Sequence, residues 1–538
     1  MEDLPVDLIL DILGRLPDSA DVARFRAASR TLNAAARGVK SVALLCSLAR
    51  YLRSRSPDTR SLAVPFKSLV ASAVLGWGLV ESVAIGIDYA SLADSFEDVE
   101  EDESGYDTDS FEDVEEDESG DDTDSFEDVE EDESGDDTDS FEDMEEDEYG
   151  DDTDSFEDME EDESGDDTDS FEDTEEEESG DDMSLMEVME VGFLEGWLPR
   201  VSEELRALSI SDLREQSSWR RSNVLALVSS HCRSLCELEL KNAWLSVDGL
   251  NPLPSLTSLT LESITLDDEN LSKLFTCLSH LQVLNLHGVG GLKEPKIHLP
   301  DLRSCQWTVS NAPISLAIYA PRLVKLMLSC ITLRSLILET PALSDFDLSI
   351  VQADDLQVKD LISLKSLKLY SPFLCNLITA FPSAKTVEKL TLNTEFEMDG
   401  KKMISLELLF KTFPNASTLT LGPDAWSRLW PSPGGWEDGV EMKSLQGNVA
   451  CVVDSHIDVV QAFIASMMDK CTNLSDFTIL MRQQDADSDL LSNLTKRCTA
   501  DWPRLKWKFG VFKKATEAYG FTGGWDIVWQ RQTFEGAR

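Results

Sequence analysis

The chain has 538 residues and a formal net charge of −58, enough length for several domains or one long repeat array. The charge is local: 53 acidic residues and no Lys or Arg lie between Asp94 and Asp182, leaving −5 for an otherwise ordinary globular composition. Ten scattered cysteines, only Cys232 and Cys236 of them within five positions of each other, exclude a disulfide framework and fit a reduced intracellular protein.

From the N-terminus, Pro5 stands where a first helical turn tolerates proline, and Leu8, Ile9, Ile12, Leu13 and Leu16 follow at helical spacing. Pro17 ends that helix, Asp18 or Ser19 can cap the next, and Val22 with Phe25 carries an apolar stripe on toward Ser29 and Leu32. Three short helices in about forty residues bury too little surface to be stable alone, so the segment needs a partner. A helical cap on a larger domain is the plainer reading. The order Leu4-Pro5, Ile12-Leu13, Leu16-Pro17, then Arg24-Phe25-Arg26-Ala27-Ala28-Ser29-Arg30 resembles an F-box. The resemblance implies that Leu4, Pro5, Leu8, Ile12, Leu16, Pro17 and Val22 dock on a Skp-family adaptor, which bridges to a cullin. Leu32 stands where the family usually has Trp.

No basic-then-apolar leader opens the chain, and its longest uncharged apolar stretch, Ser68 to Val80, is shorter than the roughly 20 residues a spanning helix needs. Nucleus or cytoplasm is the expected location, with neither secretion, nor a membrane partner, nor direct nucleic-acid binding. Val80, Val83 and Ile85 then read as a first repeat strand.

Phe96, Phe111, Phe126, Phe141, Phe156 and Phe171 are spaced by fifteen, each opening a near-identical acidic copy. A copy offers one Phe and one variable Val, Met or Thr to bury against nine like charges in the copy that starts at Phe111, so a disordered, expanded tract is expected. The offsets of a calcium-binding EF-hand loop are missing: a start at Asp122 puts Glu127 where Gly is needed. Ser95, Ser110, Ser125, Ser140, Ser155 and Ser170 precede Phe-Glu-Asp, while Ser104, Ser119, Ser134, Ser164 and Ser179 precede Gly with an Asp three positions on. All eleven look like sites for acidophilic casein-kinase-type kinases. The tract reads either as a solvated spacer or as bait for a basic partner protein.

From Val201 a looser period appears as Leu-x-x-Leu-x-Leu, in ten runs from Leu205/Leu208/Ile210 to Ala416/Leu419/Leu421, with Leu302/Cys305/Trp307 and Leu343/Phe346/Leu348 among them. Successive runs between Leu235 and Val387 are 20 to 25 residues apart, and prolines puncture the returns, which argues against a bundle of amphipathic helices. The pattern resembles a leucine-rich-repeat solenoid. Each repeat then supplies one short strand whose inward leucines only neighbouring repeats can bury. The Asn or Cys that usually follows is replaced by Ala243, Ile264, Val289, Ile331 and Val351, so an irregular array without an asparagine ladder is expected. A weak run, Leu474/Phe477/Ile479, closes it.

Seven of the twelve tryptophans lie at Trp426, Trp430, Trp436, Trp502, Trp507, Trp525 and Trp529, suited to capping the last repeat or, in the loop-like segment 425–436, to anchoring a partner. There is no Cys-x-x-Cys pair, phosphate loop, His-Glu-x-x-His or Gly-x-Ser-x-Gly, and only five histidines. No catalytic residue, metal site or cofactor is expected.

The expected architecture is α/β: an F-box over residues 1–45, linker helices and a first repeat strand over 46–93, the disordered acidic insertion over 94–182, an irregular solenoid over 183–480 and a C-terminal cap over 481–538. An F-box followed by leucine-rich repeats resembles the plant F-box/LRR-repeat proteins. The resemblance implies a non-catalytic substrate receptor of a cullin-based SCF ubiquitin ligase, with an unidentified protein target held on the strand face. The outward positions Asn285, His287, Gln306, Thr308, Lys325, Met327, Asp345, Asp347, Lys368 and Tyr370 are the geometric choice for target contacts. The competing readings are an acidic, chaperone-like protein for basic partners and an F-box protein acting outside a ligase.

Overall fold

The computed structural model describes single positions before residue 38, then residues 38–47, 66–76, 79–88, 188–212, 221–308, 313–358, 361–381, 384–394, 406–422, 425, 448–453, single positions between 461 and 471, 473–482, 488–514 and 525–528. Proximity divides the chain into Met1–Phe96 with Glu178–Arg538, and Glu97–Glu177. The second unit lies outside the described residues, and so do all eleven candidate phosphorylation sites.

A parallel strand cannot follow its neighbour through a tight turn, so each rung of the array is a strand plus a crossover. The first rungs are β1 (Ser41–Ser47), α1 (Phe66–Gly76), β2 (Ser82–Asp88), the short helices α2 (Val191–Glu195) and α3 (Leu198–Val201), and β3 (Ala207–Ser211). The two-residue β4 (Arg221–Ser222) and α4 (Val224–His231) lead to β5 (Glu237–Leu245), β6 (Ser258–Thr265), α5 (Asp268–Cys277) and β7 (Val283–His287). Next come β8 (Lys296–His298), β9 (Ser304–Thr308), β10 (Ser315–Tyr319), β11 (Lys325–Glu339), β12 (Asp345–Val358) and β13 (Ser366–Tyr370). The last part holds α6 (Leu374–Thr379), β14 (Lys389–Asn393), α7 (Leu406–Thr412), β15 (Thr418–Leu421), β16 (Asn448–Val453), β17 (Asp476–Arg482), α8 (Ser488–Asp501), β18 (Lys506–Lys514) and β19 (Trp525–Val528).

The rungs stack in register. One inward column starts at Val42, Val83, Leu208 and Leu238. It runs on through Leu259, Leu284, Cys305, Leu326, Phe346, Leu367, Leu390 and Leu419, and the backbone register of β16 links it to Phe477 and Trp507. Its members from Val42 to Leu419, and Phe477 near the end, are all buried, and every one of the ten sequence runs lands on a strand. Helix α5 shows why its segment returns as a helix. The Asp267 carboxylate accepts from the Asn270 backbone N–H at 2.7 Å, acids fill the first turn, and Leu271, Leu274 and Phe275 form the buried stripe.

Four features depart from the sequence reading. Strand β1 precedes the strand taken as first, so the boundary expected at residue 45 falls inside a strand and the acidic tract enters after the second rung. At the other end, β18 extends the parallel array beyond residue 480 and β19 closes it antiparallel. The expected capping tryptophans Trp502 and Trp507 pack here at 6.2 Å, and the Trp507 indole donates to the Trp502 carbonyl at 3.2 Å. Trp426, Trp430, Trp436 and Trp529 lie outside the described residues.

The third departure is a second ladder. The far half of β11 pairs with β10, β10 with β8, and the far halves of β11 and β12 with each other. Here the returns are strands, because Leu333, Leu336 and Leu338 are buried in an extended run that carries no helical stripe. The fourth concerns the ladder position. Asn242 (φ 60°), Ser263 (φ 52°) and Gly288 (φ 61°) make a left-handed corner on three successive rungs, which turns Ala243, Ile264 and Val289 into the core. β11 and β12 have no such corner, alternation continues, and Cys330 and Ile350 are buried in place of Ile331, which is 39% exposed.

Phe346 is 1% exposed and its ring lies 6.4 Å from that of Phe381. Phe346→Ala should lower the stability of the folded array by about 3–5 kcal/mol, read as an earlier urea midpoint with little change in slope. A loss below about 1 kcal/mol would mean the column does not carry the fold.

Candidate protein-interaction site

Two surfaces gather the residues singled out by sequence. On the N-terminal segment, Leu8, Ile9, Ile12 and Leu13 are helical, and the Pro5 carbonyl accepts from the Leu8 and Ile9 backbone N–H groups at 3.0 and 3.1 Å. Ile9 and Leu13 are buried at 3% and 2% and join the continuous apolar core. Leu8 and Ile12, one turn apart, stay 47% and 37% exposed. Pro5 is exposed, while Leu4, Leu16, Pro17, Val22 and Leu32 lie outside the described residues. The helix thus spends one apolar stripe on its own chain and leaves another in solvent.

The second surface is the outward face of the main ladder. Strand alternation keeps the ten chosen target-contact positions out of the core, and register sorts them into three rows. Asn285, Gln306, Met327, Asp347 and Lys368 share one row. His287, Thr308 and Tyr370 share another with Ser329 and Ser349. Lys325 and Asp345 fall in a third, beside Ser304, Ser366 and Lys389.

Polar side chains on this face pair across rungs. Asn285 donates to Thr260 Oγ1 at 3.1 Å, and Lys368 Nζ lies 3.1 Å from Asp347 Oδ2. Lys241 sits between two carboxylates, 3.0 Å from Glu239 and 2.9 Å from Glu262, and Ser209 donates to Glu239 at 2.7 Å. Burial works against the Lys241 charge, but hydrogen bonds to Glu262 and Glu239 outweigh it and hold its pKa above the ordinary value. His287 completes that row with its pKa lowered: burial dominates, Lys241 adds to the lowering, and Glu262 and Glu239 oppose it. It is therefore neutral at pH 7. The sequence choice was confined to the central strands and left out Ser209, Glu239, Lys241 and Glu262, although they occupy the same places in earlier copies of the pattern.

Among the described residues no group of three or more His, Cys, Asp or Glu is placed to hold a metal ion, and no described helix is long and apolar enough to cross a membrane. Burial pushes the thiols of Cys232, Cys305 and Cys330 up to about 12, opposite to the activation a transfer cysteine needs. A cavity of about 260 Å³ has Asp212, Arg221, Ser222 and Asn242 among its lining. The Asp212 carboxylate is already committed to the backbone N–H groups of Val188 and Met189, at 3.2 and 2.9 Å.

Known proteins match the repeat array and, in one relative, most of the chain. The family described as "FBD-associated F-box protein At5g56370, LRR repeats" matches residues 194–421. The chain is 36% identical over 525 residues to the F-box/LRR-repeat protein At4g29420 of Arabidopsis thaliana, covering 96% of this chain and 99% of that relative.

The lowered pKa of His287 makes stability pH-dependent with a known sign. The unfolded chain takes up the proton near the ordinary histidine value of 6.5 while the folded one resists it, so the contribution is complete above 6.5 and is lost as pH falls below it. His287→Gln should lose less stability than the parent between pH 7.5 and 5.5 in paired urea titrations. Parallel pH curves would contradict the placement of the ring.

Proposed function

Because the chain belongs to the plant F-box/LRR-repeat family, we propose that it is the substrate-recognition subunit of a cullin-based SCF ubiquitin ligase. Proteins of this kind are generally non-catalytic adaptors. The N-terminal segment docks on a Skp-family adaptor, and through it on the cullin, using Leu4, Pro5, Leu8, Ile12, Leu16, Pro17 and Val22. The outward strand face presents a protein target, with Asn285, His287, Gln306, Thr308, Lys325, Met327, Asp345, Asp347, Lys368 and Tyr370 among its contacts. Rate enhancement comes from holding the target beside a ubiquitin-charged enzyme.

The observation that carries this reading is the unburied pair Leu8 and Ile12, 47% and 37% exposed on a helix whose other apolar stripe is already covered. Two large apolar side chains one turn apart form a seam that gains from a partner groove. Leu8→Asp should abolish retention of a Skp-family adaptor in a pull-down from full-length protein, while the repeat array keeps its unfolding midpoint. Undiminished retention would defeat the receptor reading, and adaptor retention without cullin would point to an F-box protein working outside a ligase.

A second reading is favoured by one feature of the sequence, the 53 acidic residues between Asp94 and Asp182. That tract offers a bait for basic proteins, and acidophilic kinases acting on Ser95, Ser104, Ser110, Ser119, Ser125, Ser134, Ser140, Ser155, Ser164, Ser170 and Ser179 would deepen its charge by about −1.5 to −2 per site. Binding of a histone-like protein through it should collapse between low and moderate salt. Salt-insensitive capture would exclude it.

A further inference from the structure

We infer that the strand-start rim of β9 to β14 is a docking strip for an acidic segment of the target protein. This deepens the receptor reading and rests on it. The rim is built by register. The Arg303 carbonyl accepts from the backbone N–H groups of Val324 and Lys325 at 2.8 and 3.1 Å, which sets Arg303 one rung from Lys325. The Lys365 carbonyl accepts from Glu388 and Lys389 at 2.9 and 2.9 Å, which sets Lys365 one rung from Lys389. All four cations are exposed, and among the described residues none has an ion-pair partner.

The nearby carboxylates are mostly engaged. Asp301 is held by Arg322 at 2.6 Å and His280 at 3.2 Å, and Asp347 by Lys368 at 3.1 Å. Asp345 accepts from the Ser344 hydroxyl. Asp345 and the exposed Glu388, which among the described residues form no ion pair, offset two of the four unpaired cations, so the rim keeps a surplus of positive charge in a chain whose net charge is −58. Toward the other end of the array the face changes sign, with Glu237, Glu239 and Glu262 around the one Lys241. β7 and β9 between them expose only the uncharged Val283, Asn285, Ser304, Gln306 and Thr308 with neutral His287. That order of charge sets the direction in which a charged ligand can lie.

Four rung steps at about 4.8 Å make the strip about 19 Å long, the span of roughly six extended residues. Three of the four cations are lysines, compact point charges on flexible stems that can each pair with one carboxylate of an extended segment.

The test is fluorescence anisotropy of a labelled hexaglutamate peptide against the full-length protein at about 0.15 M salt, where the screening length is about 8 Å. Hexaglutamate should bind and hexaglutamine should not. The combined substitution of Lys325, Lys365 and Lys389 by Ala should weaken binding about tenfold or more, and replacement of the same three by Glu should abolish it. Lys411→Ala, at an exposed lysine of α7 away from the rim, should leave it unchanged. Absence of hexaglutamate binding, equal binding by the triple variants, or binding only of a phosphoserine-bearing peptide would overturn the assignment. Retention of the Skp-family adaptor, measured on the same variants, reports separately on the receptor reading. These substitutions leave that retention unaltered whether or not the strip binds acid.

Discussion

Everything in this molecule depends on the in-register stacking of inward side chains from rung to rung. One strand with two or three leucines cannot bury them, but a column that runs from Val42 to Trp507 shields each member between its neighbours. The gain is cooperative and local at once. A rung lost in the middle exposes two neighbours, while the ends need separate closure, supplied at the C-terminal end by antiparallel β19. The continuous apolar core from Ile9 to Leu505 follows from that one arrangement.

The same constraint lays out the strand face proposed to hold the target. Since alternate residues must point inward, the intervening ones line up outward in rows 4.8 Å or so apart, whatever their chemistry. Neighbouring rungs then bring together residues twenty or more positions apart, such as Lys241 with Glu262 or Asp347 with Lys368. The face therefore carries a fixed order of charge and hydrogen-bonding groups. The N-terminal helix applies the same economy, with Ile9 and Leu13 committed to the fold and Leu8 and Ile12 left for something else.

Much of the array was legible because leucine spacing directly reports strand period and return length. What escaped did so for particular reasons. Val39, Val42 and Leu44 carry the same pattern as later rungs, but they directly follow an F-box-like segment and were absorbed into it. In β16 the leading apolar position is Gln446, and in β18 it is Arg504, so neither strand displays the full run. The second ladder was missed because alternating leucines in a return look like an irregular loop until neighbouring returns pair with them. Of the candidate site, the row positions were readable, whereas the pairings that neutralise some charges and leave Arg303, Lys325, Lys365 and Lys389 open were not.

By itself the sequence determined the inward positions of the ten leucine runs, the spacing of the central rungs, the stretch of chain that is acidic, and which family it resembles. Those properties follow from hydrophobic period and composition, which are local along the chain. Only the tertiary structure decided the register, the left-handed corners at Asn242, Ser263 and Gly288, the change from helical to strand returns, and the partners of each outward charge. These depend on contacts between residues on different rungs, and no spacing within one repeat encodes which neighbour will stand 4.8 Å away.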